Sequence, residues 1–245
     1  YRLDVEKFAA MIRPDTKLVS ITTPHNPTGV MIPEAQLRRI AEITGKMGCT
    51  LLVDETYRDM AFGDLPPLAA TYGPHVVSVS SLSKTYGLPG IRIGWLVTKD
   101  PRRMETFLAA KEQSVITGSI VDETIAHEYL RNRAARFPAI RERIRAHHEI
   151  LESFYAVEPR LERVPTEGGV VSFPRIRSRT GFDTLAAVDR FYEVLNGKYG
   201  TFVGPGHWFE QDRRSMRIGF GWPTTEELRE GLANIRLALD EAASR

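Results

Sequence analysis

The first half of the chain alternates short apolar runs with a stretch of helical periodicity. Residues 33–47 repeat apolar positions three and four apart, which predicts a helix that begins at Pro33 and ends before Gly48. Three uninterrupted apolar runs predict buried β-strands at residues 18–22, 50–53 and 76–79. The pattern of residues 91–98 predicts one more strand. Strands separated by a helix predict a mostly parallel α/β sheet that is buried on both faces.

The second half of the chain has a different pattern. Residues 102–131 and 138–157 each have the periodicity of a long helix, and the second carries an apolar stripe through Ile144 and Leu151. Short strands and two more helices follow, which is typical of a smaller α+β unit. We therefore predict a large domain over residues 1–137 and a small C-terminal domain over residues 138–245.

Composition excludes several classes of protein. The 245 residues carry a formal net charge of +2 and a single cysteine, Cys49, so neither an internal disulfide nor a cysteine-based zinc site is expected. The histidines lack the spacing of a metal site. No apolar run approaches the roughly 20 residues of a membrane span, and no signal-peptide pattern opens the chain. We expect a cytoplasmic protein that binds neither membrane nor nucleic acid.

Polar residues follow three of the predicted strands. P-H-N-P-T-G occupies residues 24–29, D-E-T-Y residues 54–57 and S-S-L-S-K residues 80–84. Ligands of parallel α/β sheets bind outside the carboxyl ends of the strands, so the sheet is expected to bring six side chains toward one crevice: Asn26, Asp54, Tyr57, Ser81, Lys84 and Arg92. These groups suit a ligand that is both aromatic and phosphorylated. Each motif alone also fits an ordinary turn, a helix cap or a solvated side chain.

The stretch S-L-S-K-T-Y-G-L-P-G-I-R-I-G, residues 81–94, resembles the cofactor-lysine signature of the class I/II aminotransferases, which are fold-type I enzymes dependent on pyridoxal 5′-phosphate (PLP). The N-P-T-G and D-E-x-Y motifs lie upstream in the order of that family. The resemblance implies an aspartate aminotransferase-like large domain with a mostly parallel sheet and a smaller C-terminal α+β domain. It also implies an enzyme that transfers an amino group from an amino acid to a 2-oxo acid.

The resemblance assigns three residues to the chemistry. Lys84 would form a Schiff base with PLP and later move the substrate proton. Asp54 would pair with the protonated pyridine nitrogen and so make the ring an electron sink. Tyr57, together with Asn26, would donate hydrogen bonds to the 3-oxygen of the ring.

Other residues are implied to bind. Ser81 and Arg92 would hold the cofactor phosphate, and Ser83 is counted among the cofactor-binding residues. Arg217, in the stretch S-M-R-I-G-F, would clamp the substrate carboxylate, and Asn26 would also contact the substrate. The family further implies a homodimer with a shared active site.

Part of the family pattern is not recognisable. Its N-terminal region supplies a phosphate-binding loop, an aromatic side chain that stacks on the ring, and a residue that reaches the partner's site, whereas this sequence opens at Tyr1 already close to the first strand. We expect an aminotransferase that lacks its N-terminal region. This chain alone is expected to bind PLP poorly, and a version extended upstream is expected to bind it tightly.

Several alternatives remain open. Residues 111–119, K-E-Q-S-V-I-T-G-S, resemble aminotransferase-like enzymes of natural-product biosynthesis such as capreomycidine synthase, so a PLP-dependent lyase or cyclase is the second hypothesis. A non-catalytic sensor of PLP or amino acids is the third. Ser81 and Lys84 also fit the S-x-x-K pattern of serine β-lactamases, but no K-T-G follows. A nucleic-acid-binding surface could use the arginines of residues 131–145, but helical periodicity places Arg141, Arg143 and Arg145 on a solvated face interleaved with Glu142 and Glu149.

Overall fold

The computed structural model describes residues 1–178 and 181–243, which form two compact units. The first unit comprises residues 1–26, 30–138 and 167–169, and the second comprises residues 27–29, 139–166 and 170 onward. Among the described residues, none of the helices is both long enough and apolar enough to cross a membrane.

The first unit is built around one four-stranded sheet. Its strands stand in chain order: β1 (Leu18–Thr22), β2 (Thr50–Asp54), β3 (Val76–Ser81) and β4 (Gly94–Thr98). β1, β2 and β3 are parallel, whereas β4 runs antiparallel to β3. The sheet is therefore mixed but mostly parallel, which confirms the predicted fold class.

A helix covers one face of this sheet. α1 (Val5–Met11) precedes β1, and α2 (Glu34–Lys46) packs the buried Leu37 and Ile40 into a core with Leu51 and Val53 of β2. Gly48, with a φ of 68°, lets the chain turn back after α2. Residues of β2 are buried or half-buried, whereas Leu18 and Ser20 of β1 are exposed, so the expectation of strands buried on both faces is wrong for β1.

Two predicted boundaries are also wrong. β4 begins at Gly94 rather than residue 91, and Arg92 lies before it in a left-handed conformation with a φ of 52°. The long helix predicted over residues 102–131 is two helices, α3 (Pro101–Val115) and α4 (Ile120–Arg131). The break lies at Ile116, which has a φ of 57°, and a new helix starts at Ser119, whose hydroxyl accepts a hydrogen bond from the Asp122 amide.

The remaining helices and strands complete an α+β arrangement. α5 (Arg133–Ala156) begins before the predicted start at Pro138 and runs through it. In the second unit, β6 (Val171–Ser172), β9 (Met216–Gly219) and β8 (Gly204–Pro205) form an antiparallel sheet, and β5 (Leu161–Glu162) pairs with β7 (Arg175–Ile176). α6 (Leu185–Gly197) packs against α7 (Thr225–Ala243). Short 3₁₀ helices span Arg58–Met60, Ala69–Tyr72 and Gly206–Phe209.

Candidate active site

Asp54 ends β2, and one of its carboxylate oxygens is held by the next turn. Its Oδ1 accepts hydrogen bonds from the amide of Thr56 at 2.9 Å and from the Thr56 hydroxyl at 2.6 Å. In the described part of the chain, its Oδ2 has no hydrogen-bond partner. The turn therefore orients the carboxylate and leaves one oxygen available to a ligand.

Lys84 lies in a loop with a well-bonded backbone. The side chain of Leu82 is fully buried, and its amide donates to the carbonyl of Ile93 at 3.0 Å. The amide of Gly87 donates to the carbonyl of Lys84 at 3.1 Å, and that of Leu88 to the carbonyl of Leu82 at 2.9 Å. The Lys84 side chain is exposed, and its amine makes neither a hydrogen bond nor an ion pair with any described residue.

A direct hydrogen bond joins the Asp54 turn to the Lys84 loop. The hydroxyl of Thr85, a buried residue, donates to the carbonyl of Thr56 at 2.5 Å. Asp54 and Val79 are register partners on the neighbouring parallel strands β2 and β3, and the Lys84 loop leaves β3 after Ser81. The structure thus brings together the two motifs that carry the predicted catalytic carboxylate and amine.

The predicted phosphate-binding residues form a small cluster. The amide of Ser83 donates to the hydroxyl of Ser81 at 3.3 Å, and Nη1 of Arg92 donates to the Ser83 hydroxyl at 3.3 Å. The same Nη1 donates to the carbonyl of Pro89 at 2.8 Å, and the Arg92 side chain is exposed. Two hydroxyls and a guanidinium are donors that phosphate groups prefer.

Asn26 and Tyr57 follow the ends of neighbouring strands. The chain leaves β1 beside Asp54, because the amide of Thr23 donates to the carbonyl of Asp54 at 3.0 Å, and the exposed Asn26 follows in a turn. Tyr57 lies three residues beyond Asp54 and is buried. Positions 168 and 169 approach these loops, since the amide of Gly169 donates to the carbonyl of Met60.

Arg217 lies on β9 of the second unit. Its neighbours Met216 and Ile218 are buried and Arg217 is half-buried, as side-chain alternation along a strand requires. Its guanidinium carbon is 4.9 Å from the centroid of the Phe209 ring. Its role as a carboxylate clamp stays a prediction.

The sequence interpretation missed several side chains that support the site. Thr56 could have been found, since an aspartate side chain commonly accepts a hydrogen bond from the backbone two residues on. Glu55 is buried, accepts hydrogen bonds from the Ala69 amide at 3.2 Å, and has its pKa raised by burial. Asp59 pairs with Arg133, which is 74 residues away in the chain, and no local pattern indicates that contact. In the described residues, no group of three or more side chains could hold a metal ion.

Comparison with known proteins identifies the family. The family model described as aminotransferase class I and II matches residues 1–235. The chain belongs to this family. Its aspartate aminotransferase-like fold and the PLP dependence of its structural neighbours agree with the resemblance of the lysine loop.

Three relatives illustrate the range of this family. Capreomycidine synthase of Streptomyces vinaceus is 31% identical over 234 residues, which cover 95% of this chain and 58% of the relative. A PLP-dependent aminotransferase from Streptococcus suis superposes with a TM-score of 0.88 at 29% identity, covering 97% of this chain and 61% of that one. The PLP-dependent cyclase OrfR superposes with a TM-score of 0.85 at 29% identity, covering 98% of this chain and 63% of that one. The chain therefore spans about three fifths of these relatives.

Proposed function

We propose that the protein is a PLP-dependent aminotransferase that moves an amino group from an amino acid to a 2-oxo acid. The observation that carries this proposal is that two groups left unbonded by the described residues, an amine and a carboxylate oxygen, lie on segments joined by a hydrogen bond. An exposed lysine amine without a partner among the described residues lies in a loop that is hydrogen-bonded to the turn of an aspartate with one unpartnered oxygen.

The residues in the first unit fit PLP chemically. The Lys84 amine suits a Schiff base with the cofactor aldehyde, and Oδ2 of Asp54 suits the pyridine nitrogen. Ser81, Ser83 and Arg92 would hold the phosphate, and Asn26 with Tyr57 would contact the 3-oxygen. When bound, PLP supplies an electron sink that weakens bonds at the substrate's α-carbon.

The side chains of the protein would divide the remaining work. Arg217 would hold the substrate carboxylate by two parallel hydrogen bonds and so fix the orientation of the α-carbon. The Lys84 amine would then accept the proton from the α-carbon and return it. Asp54 would keep its negative charge beside the pyridine nitrogen throughout.

A cyclase or lyase of amino-acid-derived natural products is the second candidate. Its support is the 31% identity with capreomycidine synthase and the structural similarity to the cyclase OrfR. Both candidates would use Lys84 and Asp54 in the same way, and they differ in what happens after the α-proton leaves.

The covalent link to Lys84 can be tested directly. PLP is added to the protein, the mixture is reduced with borohydride, and the modified peptide is identified by mass spectrometry. We expect the pyridoxyl group on Lys84, and we expect Lys84→Ala to remove both this label and transamination. Lys99→Ala, which changes another exposed lysine, serves as the control. A label that stays at full yield in Lys84→Ala would refute the proposed role.

The reaction products distinguish the two candidates. An aminotransferase yields one 2-oxo acid product for each acceptor 2-oxo acid consumed, and it stops when no acceptor is present. Continued turnover without an acceptor, with release of ammonia or formation of a ring, would favour the second candidate.

A further inference from the structure

The carboxylate of Asp59 is shared by three side chains of the first unit. Its Oδ2 accepts hydrogen bonds from the hydroxyl of Tyr86 and from Nη2 of Arg133, the latter at 2.6 Å. Its Oδ1 accepts from Nη1 of Arg58 at 3.0 Å. The Asp59 side chain is only 12% exposed, so these contacts are largely shielded from water. Two guanidinium groups thus neutralise the carboxylate that binds the tyrosine.

This carboxylate connects the two segments of the candidate site. Asp59 lies five residues after Asp54 on the 3₁₀ helix Arg58–Met60, and Tyr86 lies two residues after Lys84. The Tyr86 ring is buried, with ring centroids 6.1 Å from Trp95 and 5.6 Å from Phe137. Burial and the contact with Asp59 raise the pKa of the Tyr86 hydroxyl, which therefore remains a donor.

We infer that Asp59 is a positioning residue, which holds the loop carrying Lys84 against the segment carrying Asp54 through the hydroxyl of Tyr86. Part of this inference rests on the proposed function, because it matters for catalysis only if Lys84 and Asp54 act on one ligand. The other part, here called the mechanical part, is that the contact of Asp59 with Tyr86 restrains the loop carrying Lys84, and it does not depend on the function. Small displacements of reacting groups lower reaction rates strongly, so a loop that moves more would present the amine less often in a productive position.

Tyr86→Phe tests the mechanical part, because it removes the hydroxyl and keeps the ring. Amide hydrogen exchange is measured by mass spectrometry in protein free of PLP. The loop over residues 82–88 contains the bonded amides of Leu82, Gly87 and Leu88. We expect their exchange to accelerate about tenfold, the factor typical of losing one hydrogen bond to a charged group, while amides of β2 and β3 keep their rates.

Tyr129→Phe is the matched control. The Tyr129 ring lies 6.1 Å from that of Tyr86 in the same aromatic cluster, and its hydroxyl is buried without a hydrogen-bond partner among the described residues. Removing this hydroxyl deletes the same atom from the same environment but breaks no hydrogen bond. We expect no acceleration of exchange over residues 82–88.

Asp59→Asn tests the other end of the contact. The neutral amide oxygen can still accept from Tyr86, but this hydrogen bond is weaker than one to a carboxylate, so we expect exchange over residues 82–88 to rise less than in Tyr86→Phe. The inference is overturned if Tyr86→Phe leaves the loop unchanged, or if it accelerates β2 and β3 equally, which would indicate general destabilisation.

A second measurement adds the cofactor. The rate at which added PLP becomes fixed to Lys84 by borohydride is compared for the unmodified protein, Tyr86→Phe and Tyr129→Phe. We expect a several-fold slower rate in Tyr86→Phe only. If the unmodified protein forms no link even at saturating PLP, the proposed function fails while the exchange result still decides the role of Asp59. If the link forms at equal rates in all three, positioning of the amine by Asp59 is refuted although the proposed function stands.

Discussion

At the residue scale, the contacts of Thr56 orient the candidate site. Thr56 donates two hydrogen bonds to one oxygen of Asp54, at 2.9 and 2.6 Å. The carbonyl of the same threonine accepts a hydrogen bond from the hydroxyl of Thr85. One residue therefore both orients the carboxylate and anchors the lysine loop. This double use explains how a turn without regular secondary structure can present two chemical groups together.

Asp54→Asn separates the charge of this residue from its structural contacts. The asparagine oxygen can accept both hydrogen bonds from Thr56, so we expect an unchanged melting temperature. The variant lacks the charge that would face the pyridine nitrogen, so we expect the rate of transamination to fall about 10²- to 10³-fold, as when a charge-stabilising contact is removed. Rates are measured at saturating PLP.

Asp100→Asn is the control for this substitution, since Asp100 likewise accepts a backbone amide, that of Arg102, at the start of α3. It should leave the rate unchanged. Full activity of Asp54→Asn would contradict the assignment of Asp54 to the cofactor nitrogen.

At the scale of elements, turns next to the strands set the position of the candidate residues. Arg92 was expected inside a strand, yet it lies before β4 with a φ of 52° and reaches back to Ser83 and Pro89. The turn over residues 206–215, which precedes β9, is closed by hydrogen bonds of Gly206. The amide of Gly206 donates to the carbonyl of Ser215 at 2.7 Å, and its carbonyl accepts from the amide of Gln211 at 3.0 Å.

Gly206→Ala tests the turn that leads into β9. A Cβ at this position would lie 2.0 Å from the carbonyl oxygen of Asp212, so the backbone must shift. We expect a loss of about 1–3 kcal/mol in the free energy of unfolding, measured with urea. Because β9 carries Arg217, the KM for the amino acid should rise as well.

Gly231→Ala is the matched control for this change. It lies within α7, and its Cβ would meet only the Thr201 methyl group at 3.8 Å. Alanine has a higher helix propensity than glycine, so the free energy of unfolding should stay equal or rise by about 0.5–1 kcal/mol. Equal stability of Gly206→Ala and Gly231→Ala would mean that the turn relaxes freely.

At the scale of the whole molecule, one apolar face of the first unit is solvent-exposed. α3 has no buried residue, and Met104, Leu108 and Val115 recur along one side of it with exposed fractions of 42%, 53% and 58%. Ile116 and Ile120, which follow, are also exposed. Exposed apolar side chains along one side of a helix are typical of a protein interface, and they support the homodimer that the family resemblance implies.

Leu108→Lys tests this interface. We expect the unmodified protein to sediment as a dimer at micromolar concentration and Leu108→Lys to shift toward the monomer, because a buried charge opposes association. Leu185→Lys is the control, since Leu185 is similarly exposed, at 48%, on the second unit. A monomeric unmodified protein, or equal behaviour of both variants, would rule out this face as the dimer interface.

The fold class and the family could both be predicted from the amino-acid sequence. Apolar periodicity located β1, α2, β2 and β3, because burial against a neighbouring element imposes a regular spacing of side chains. The lysine loop could be predicted because its motif is a specific, continuous run of residues, 81–94. The candidate site residues could be predicted because they follow the ends of strands, and parallel strands present their carboxyl ends at the same edge of a sheet.

Which side chains contact one another could be seen only in the folded protein. The break at Ile116, the left-handed Arg92 and the antiparallel β4 depend on local conformations that several sequences permit. The contact of Asp59 with Tyr86 and Arg133 joins residues 27 and 74 positions away. Such contacts arise from packing of distant elements, and periodicity along the chain carries no information about them because it reports only local burial.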